Sequence, residues 1–317
     1  AEQMGLSFQC SYESACILQD KSRFRQFLKD NDFNVPNAKG YSSKEEALAD
    51  TACYNWPVIV KPVDSAGSKG VTRVDEFSQL SSAIDYALSE SHNGHFIIED
   101  FLEKEGNSSD CDSFTVDGKL VFCSFNDQHF DPQAINPYTP AAFSWPSTMP
   151  QWAQEELRSE LQRLMTLLNV KTGVYNIETR LCKNGKPYIM ELSPRGGGNR
   201  LSEIMKYVSG QDLIDNCVRA AVGDHIDEIH QPIYEGYWAE IILHSECDGV
   251  FQSIEIDKTV EERFLIEKDI WVKAGEKVQG FTGANTTIGT LLLNFDKNAE
   301  MFFCIQKLYN WIVINTK

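Results

Sequence analysis

Gly173-Val174-Tyr175-Asn176-Ile177-Glu178-Thr179-Arg180-Leu181-Cys182-Lys183-Asn184-Gly185-Lys186-Pro187-Tyr188-Ile189-Met190-Glu191-Leu192-Ser193-Pro194-Arg195 reads as two strands joined at Asn184-Gly185, because that dipeptide accepts the positive φ of a two-residue hairpin turn. Across such a turn, residues whose numbers sum to 369 lie opposite one another, which sets Glu178 against Glu191 and Asn176 against Ser193. Directly opposed β-carbons stand ~4.5–5.5 Å apart and like charges so placed repel, so a cation belongs between the two glutamates. Ile177, Leu181, Tyr188, Met190 and Leu192 take the other face, fixing the register and turning both carboxylates toward one cleft. Two oxygen ligands on a cleft wall suit Mg2+, which takes one or two carboxylates and completes its shell with phosphate oxygens and water. The plainer alternative is a solvated strand face on which Arg180 neutralises the pair.

Upstream, Trp56-Pro57-Val58-Ile59-Val60-Lys61-Pro62 is an apolar strand bounded by prolines, followed by the loop Asp64-Ser65-Ala66-Gly67-Ser68-Lys69-Gly70 and a short strand, Val71 to Val74. An ammonium beside a Gly/Ser loop presents charge and backbone N–H groups to phosphates, although the spacing is not that of a Walker motif. Alone, the lysine reads equally well as a solvated strand end. Asp20 caps a helix over 20–31 with Phe24, Phe27 and Leu28 at helical spacing; Pro36 marks a boundary and a further helix covers 43–53. A helix over 76–90, a strand over 95–99 that leads into Glu99-Asp100-Phe101-Leu102, and two strands about Asp117-Gly118 complete a first lobe. Residues 126–150, rich in Pro, Asn and aromatics, read as a long surface loop that closes over substrate, before a helix over 151–168. Beyond the hairpin come the loop Ser193 to Asn199, two helices to about 222, and strands from 234 that end in a helix near 297–313. The fold class is α+β, divided as 1–55 (a helical linker), 56–125 (a small lobe), 126–230 (a larger lobe with the acidic pair) and 231–317 (a C-terminal lobe).

With 317 residues and 42% hydrophobic content the chain can build several cores, and nothing in it reads as disordered. A net charge of −17 argues against a grip on nucleic acid or anionic lipid, both of which require a basic face, so any bound phosphate must be met by a few local cations. Nine scattered cysteines with no C-x-x-C fit a reduced compartment, and no stretch approaches the ~20 apolar residues of a membrane helix; a cytoplasmic location is expected.

Together these motifs resemble the ATP-grasp superfamily, from Asp20 to about Gly223. The resemblance implies two α+β lobes with antiparallel sheets clasping ATP, plus a small C-terminal lobe. It implies that Lys21 and Lys61, 40 residues apart, hold ATP phosphates under the loop Ser65, Gly67, Ser68, Lys69 and Gly70. Glu99, Asp100, Phe101 and Leu102 become the adenine hinge, with backbone groups of Asp100 and Leu102 and the Glu99 side chain near the base. Glu178, Glu191 and Ser193 become the metal set for Mg2+, with Mn2+ an alternative, and Arg195 meets the transferred phosphoryl group. Gly197 and Arg200 lie toward the substrate. Serine, a shorter side chain and a poorer metal ligand, stands where the family's E-x-N-x-R signature has asparagine, so a second Mg2+ is expected to be held more loosely or through water.

The stretch Glu191 to Gly198 and the downstream Gly210-Gln211-Asp212-Leu213 look like the branch with biotin carboxylase-like enzymes and L-amino-acid ligases. That implies an ATP-dependent carboxylate–amine ligase acting on small molecules through an acyl phosphate, in a superfamily that often forms homodimers. A purine-pathway or carboxylase-type enzyme activating glycine or bicarbonate is the enzymatic alternative, and a non-catalytic ATP-binding module the other. Only about 20 residues precede Lys21 where the family carries a small α/β domain, so the chain is expected to be trimmed or to rely on a separate N-terminal domain or subunit.

Overall fold

The structure, a computed structural model, describes residues 2–50 and 54–317. The chain starts with α1 (Tyr12–Gln19) and α2 (Lys21–Asp30), the latter capped by Asp20, whose carboxylate accepts from the N–H groups of Ser22 and Arg23. β1 (Ala38–Tyr41), α3 (Lys44–Ala49), β2 (Val58–Pro62), β3 (Thr72–Val74), α4 (Phe77–Ser89) and β4 (Phe96–Asp100) follow. The four strands form one antiparallel sheet in the order β1-β4-β2-β3. Alternating Val58, Val60 and Val74 on this sheet pack with Leu80 and Ile84 of α4. The helix expected over 43–53 is seen as α3; residues 51–53 lie outside the described residues.

Next come β5 (Ser109–Val116), β6 (Lys119–Cys123), β7 (Asp127–Phe130), β8 (Pro140–Trp145), α5 (Gln151–Leu167), β9 (Gly173–Leu181), β10 (Pro187–Ser193), α6 (Leu201–Ser209) and α7 (Leu213–Val222). A second antiparallel sheet runs β10-β9-β5-β6. The strands about Asp117-Gly118 thus belong with the acidic hairpin and not with the first lobe, where the sequence placed them. One face of this sheet is covered by α5 together with α1 and α2: Leu18, Phe24 and Leu28 share a core with Leu157, Leu161, Tyr175, Ile177 and Leu192. The N-terminal helices are accordingly part of the second lobe's core, and more than a linker.

The last elements are β11 (Tyr237–His244), β12 (Gly249–Ile256), α8 (Lys258–Phe264), β13 (Leu265–Ile270), β14 (Lys277–Val278), β15 (Thr287–Phe295), α9 (Asn298–Gln306) and β16 (Ile312–Thr316). The chain ends in a strand paired with β12, where the sequence suggested a helix to 313. A five-stranded sheet, β13-β15-β11-β8-β7, takes in β7 and β8, so two stretches of the expected 126–150 loop are strands of a sheet. Pro132, Asn136 and Pro137 fall in the nine-residue link between two short strands, and Asn126, Pro146 and Pro150 flank them, which is why composition alone read the segment as loop. One face of this sheet packs Phe143, Trp145, Ile242 and Leu292 against Phe114, Phe122, Leu201 and Ile204, sealing half of the second sheet's other face. The remaining half carries the polar residues described below.

The hairpin reaches its expected register by two offsets that cancel. Its turn is a three-residue loop in which Gly185 N–H donates to Cys182 O (2.8 Å) and Cys182 N–H to Lys186 O (3.0 Å), leaving Tyr188 opposite Arg180. A bulge at Met190 then restores Glu178 opposite Glu191 and Asn176 opposite Ser193. The bulge also decides the core face: Ile189 and Leu192 are buried there, and Met190 is not.

Candidate active site

Lys61 ends β2 and pairs with Glu99 at the end of β4; Arg25, from α2, donates to the second Glu99 oxygen at 2.9 Å and to Met190 O at 2.7 Å. These side chains are 11%, 3% and 3% exposed respectively, so a charged triad ties the first sheet to α2 and β10. Burial opposes ionisation of Glu99, but Arg25 and Lys61 outweigh it and hold its carboxyl down at about 2. Burial, opposed by Glu99, pushes the Lys61 ammonium down. The Glu99 side chain is thus a counter-ion for cations and is not turned toward a base. Arg25 was missed in the sequence, although it stands one helical turn from Lys21 on the same face.

Lys21 donates to Ser65 O at 2.8 Å and lies 3.5 Å from Glu191, joining the Gly/Ser loop to the acidic hairpin. The loop has a fixed path: Gly67, Ser68 and Gly70 all have φ between 58° and 70°, and a Cβ on Gly70 would stand 2.9 Å from Pro62 Cδ and 3.0 Å from Glu90 Cβ. Ser65 Oγ donates to Glu90 O, and Ser68 Oγ to Tyr138 O at 3.1 Å. Asn136 donates to Ser68 O (3.5 Å) and Thr282 O (3.1 Å), so the 131–139 link holds the loop against the C-terminal lobe. Lys69 is exposed. In the hinge, Asp100 N–H donates to Asn37 O (2.9 Å) and Phe101 N–H to Pro57 O (3.0 Å), while the Leu102 N–H takes no partner among the described residues. Arg73 stacks over the Phe101 ring at 4.5 Å.

On the uncovered half of the second sheet, two rows cross β5, β9 and β10. Asp110, Glu178 and Glu191 form one; Asp112, Asn176 and Ser193 form the next. The aspartates were missed because β5 had been assigned to another sheet; the period-two spacing of Asp110 and Asp112 was the available signal. Burial, reinforced by Glu178, pushes the Asp110 carboxyl up to about 8. Burial raises Asp112 as well, against hydrogen bonds from Ser202, Asn176 and Gly197 N–H, the last at 2.8 Å. Lys21 and Lys61 overcome burial and hold Glu191 low. Arg180 reaches Glu178 at 3.6 Å, so each glutamate already has a separate cation, and the plainer reading of the hairpin is partly realised. Ser193 Oγ lies 3.5 Å from Glu191, where it orients that carboxylate. Among the described residues no three acidic, imidazole or thiol groups converge as a finished metal cage. The surplus of carboxylates fits Mg2+, a cation that completes its shell with nucleotide oxygens and water.

The Arg195 side chain is exposed and, among the described residues, donates to Gly196 O alone, at 2.7 Å. Arg200 is hydrogen-bonded to Glu203, Glu267 and Thr290 and paired with Asp269. It clamps α6 to β13 and β15, so its guanidinium is committed to internal contacts. A Cβ on Gly197 would meet Leu201 and Asn176 at 2.6 and 2.8 Å, so this glycine serves internal packing; Gly198 faces open space.

Residues 54–203 match the model of an ATP-grasp domain family, taking in Lys61 and Glu99 of the triad, the loop and the acidic rows. The chain has the ATP-grasp fold. Among solved structures, the ATP-grasp fold recurs across the whole chain in an L-amino acid ligase from Bacillus licheniformis (TM-score 0.81, 19% identity, 100% of this chain and 76% of that one). It recurs in the biotin carboxylase domain of the 2-oxoglutarate carboxylase of Hydrogenobacter thermophilus, a dimer in complex with MgADP, ADP and bicarbonate (TM-score 0.75, 16% identity, 99% and 70%). In sequence the chain is 26% identical over 227 residues to the C-terminal section of the carbamoyl phosphate synthase large chain of Aquifex aeolicus (strain VF5). That match takes in 70% of this chain and 40% of the relative, so the chain spans well under half of that protein. No helix among the described residues is long and apolar enough to cross a membrane.

Proposed function

We propose that this ATP-grasp chain is an ATP-dependent ligase that activates a carboxylate as an acyl phosphate and transfers the acyl group to an amine. The observation that carries the reading is Lys21, which in one side chain joins the Gly/Ser loop at Ser65 to Glu191 of the acidic hairpin. A phosphate-holding cation and a metal-suited carboxylate thus share one cleft. In the reaction a carboxylate oxygen attacks the γ-phosphorus, the bond to the β–γ bridging oxygen breaks and ADP leaves. The amine then attacks the acyl carbon, phosphate departs, and the nitrogen loses a proton.

In this proposal Lys21 and Lys61 hold phosphate oxygens, and the loop over 65–70, latched by Asn136, excludes water from the acyl phosphate. Arg195, exposed and without a carboxylate partner among the described residues, meets the phosphoryl group with a planar fork of donors. Glu178 and Glu191 would hold Mg2+, with Ser193 orienting Glu191; when bound, the cation offsets charge on the β- and γ-phosphates. The Leu102 N–H, left open at the hinge, is available to the adenine edge. No covalent enzyme intermediate is needed, so the cysteines take no part.

The test is ADP release from Mg-ATP across a panel of amino acids and small carboxylates, each with and without an amine, with bicarbonate and phosphoribosylamine as separate arms. Release that requires one carboxylate and one amine supports the ligase. Release driven by bicarbonate alone would replace it with a carboxylase-type reaction, and ATP binding without release under every condition would leave a binding module.

A further inference from the structure

A cavity of about 420 Å³ opens in the C-terminal lobe, between the end of β11 and the segment that leads into β16. Ile241 and Leu243 line one side and Leu308, Ile312 and Ile314 the other. Glu246, Cys247, Tyr309 and Val313 also line it and are exposed, so the cavity is open to solvent. Protein interiors leave few voids larger than a water molecule, whereas ligand sites are clefts of ~300–1,000 Å3 with mostly apolar walls and a few polar groups. Glu246 carries the one carboxylate of the lining, and no lysine or arginine contributes to it. None of the residues placed in the ATP cleft lines this cavity.

The same walls hold the segment that latches the Gly/Ser loop. Tyr309 OH donates to Asp131, the first residue of the 131–139 link, and His244 Nε2 lies 3.1 Å from the same carboxylate oxygen. His244 also stacks on Phe281, with ring centroids 4.0 Å apart. Phe281 N–H donates to Ser245 O (3.0 Å), and its carbonyl accepts from Asn136 N–H (3.1 Å). The Asn136 side chain then bonds Ser68 O in the loop and Thr282 O. Two routes thus leave the cavity wall, one through Asp131 and one through Phe281, and they meet at Asn136.

We propose that this cavity is an effector site for a small aliphatic ammonium compound, whose occupancy steadies the 131–139 link and tightens the binding of Mg-ATP under the loop. The proposal goes beyond the ligase reading and takes from it only that residues 65–70 cover the ATP phosphates. Charge selects the ligand: an ammonium finds Glu246 at the open side, while a carboxylate there meets a like charge and no compensating cation. The chain of the ligand packs among the isoleucines and leucines. An occupant against Tyr309 and Leu308 restrains the wall that holds Asp131, so part of the ordering that the nucleotide requires is met before it binds. Linkage then demands that Mg-ATP raise the affinity for the amine by the same factor.

Hexylammonium, hexanol and hexanoate serve as probes, with the dissociation constant of a non-hydrolysable ATP analogue read by calorimetry in Mg2+. Saturating hexylammonium should lower that constant ~5-fold or more, hexanol less, and hexanoate not at all. Glu246→Gln should weaken hexylammonium severalfold, an exposed ion pair being lost, and leave the analogue's affinity without amine unchanged. Thr316→Trp sets an indole on the side of β16 shared with Ile312 and Ile314, and should abolish the amine effect. Asn136→Ala should still bind hexylammonium, seen by saturation-transfer NMR, yet lose the coupling. Analogue affinity that hexylammonium leaves unchanged would overturn the proposal, and so would affinity that it lowers, which would put the ammonium on the acidic rows instead. Equal effects of hexylammonium and hexanoate would remove Glu246 from the site. A wild type that sediments as a dimer beside a monomeric Thr316→Trp would make the cavity an interface between copies, and refute it as an effector site. If the analogue never binds while hexylammonium binds the wild type and not Thr316→Trp, the cavity stands as the amine's site and the nucleotide reading falls.

Discussion

Replacing Glu99 by Gln should destabilise this chain sharply in the absence of nucleotide. The substitution keeps shape and removes one charge, leaving Lys61 and Arg25 facing each other in an interior where their side chains are 11% and 3% exposed. Removing one partner of a buried ion pair generally costs about 3–5 kcal/mol, because the remaining charge stays desolvated. The same pairing holds the carboxyl at about 2 instead of 4.5, which corresponds to roughly 3 kcal/mol of preference for the ionised form at neutral pH. At ~2 °C per kcal/mol for a chain of this size, the melting midpoint should fall by ~6–10 °C. The folded pKa lies below the unfolded one, so this stabilisation is present above pH 4.5 and is lost as the pH falls toward 2. The melting temperatures of wild type and Glu99→Gln should therefore converge across that window. Differential scanning calorimetry with and without Mg-ATP is the assay, and saturating nucleotide should raise the variant's midpoint more than the wild type's, since phosphates replace the lost counter-ion at Lys61. A variant that melts within ~1 °C of wild type at pH 7 would refute the claim that Glu99 exists to neutralise these two cations.

Gly70→Ala should raise the KM for ATP severalfold and lower stability by ~1–3 kcal/mol, since the added Cβ meets Pro62 and Glu90 at φ 69°; steady-state kinetics and a thermal melt check both. Asn136→Ala loosens the loop by removing its bond to Ser68 O and the tie to Thr282 O, leaving the bond between Ser68 and Tyr138, and should increase ATP hydrolysis uncoupled from ligation, read as ADP released per product formed, with the melting point nearly unchanged.

Much of the site was legible because its chemistry is written locally. Lys61 before a Gly/Ser loop, and two glutamates flanking Asn184-Gly185, need only strand alternation and one turn to be placed. The hairpin register held although the turn is one residue longer than assumed, because the bulge at Met190 compensates; a bulge leaves no compositional mark, so Met190 was expected in the core where Ile189 lies. What was missed depends on pairing between segments far apart in the chain. Asp110 and Asp112 become site residues only once β5 lies beside β9, and β7 and β8 become strands only when β11 supplies their ladder. Arg200 and Gly197 misled in the opposite sense: a guanidinium and a glycine beside the signature look available in sequence, and both are consumed by internal contacts.

The cations of the cleft are already engaged before any nucleotide arrives: Lys61 and Arg25 on Glu99, Lys21 near Glu191, Arg180 near Glu178. Binding Mg-ATP to such a site is therefore an exchange of ion pairs. Lys21 is the member placed to exchange, because its contact with Glu191 is long, 3.5 Å, and its other bond is to the loop carbonyl of Ser65. If it moves from Glu191 to phosphate as Mg2+ takes its place, Lys21 competes with the metal for the carboxylate while assisting the nucleotide. Lys21→Met should then bind Mn2+ alone more tightly than wild type, by ~3–10-fold for the loss of a nearby charge of roughly 1 kcal/mol, yet bind ATP more weakly at saturating metal. Titration of Mn2+ by electron paramagnetic resonance and of ATP by calorimetry read the two arms separately. Parallel loss of both affinities would mean that Lys21 merely supports the fold of the cleft; opposite signs require that it stands between the metal carboxylate and the phosphates.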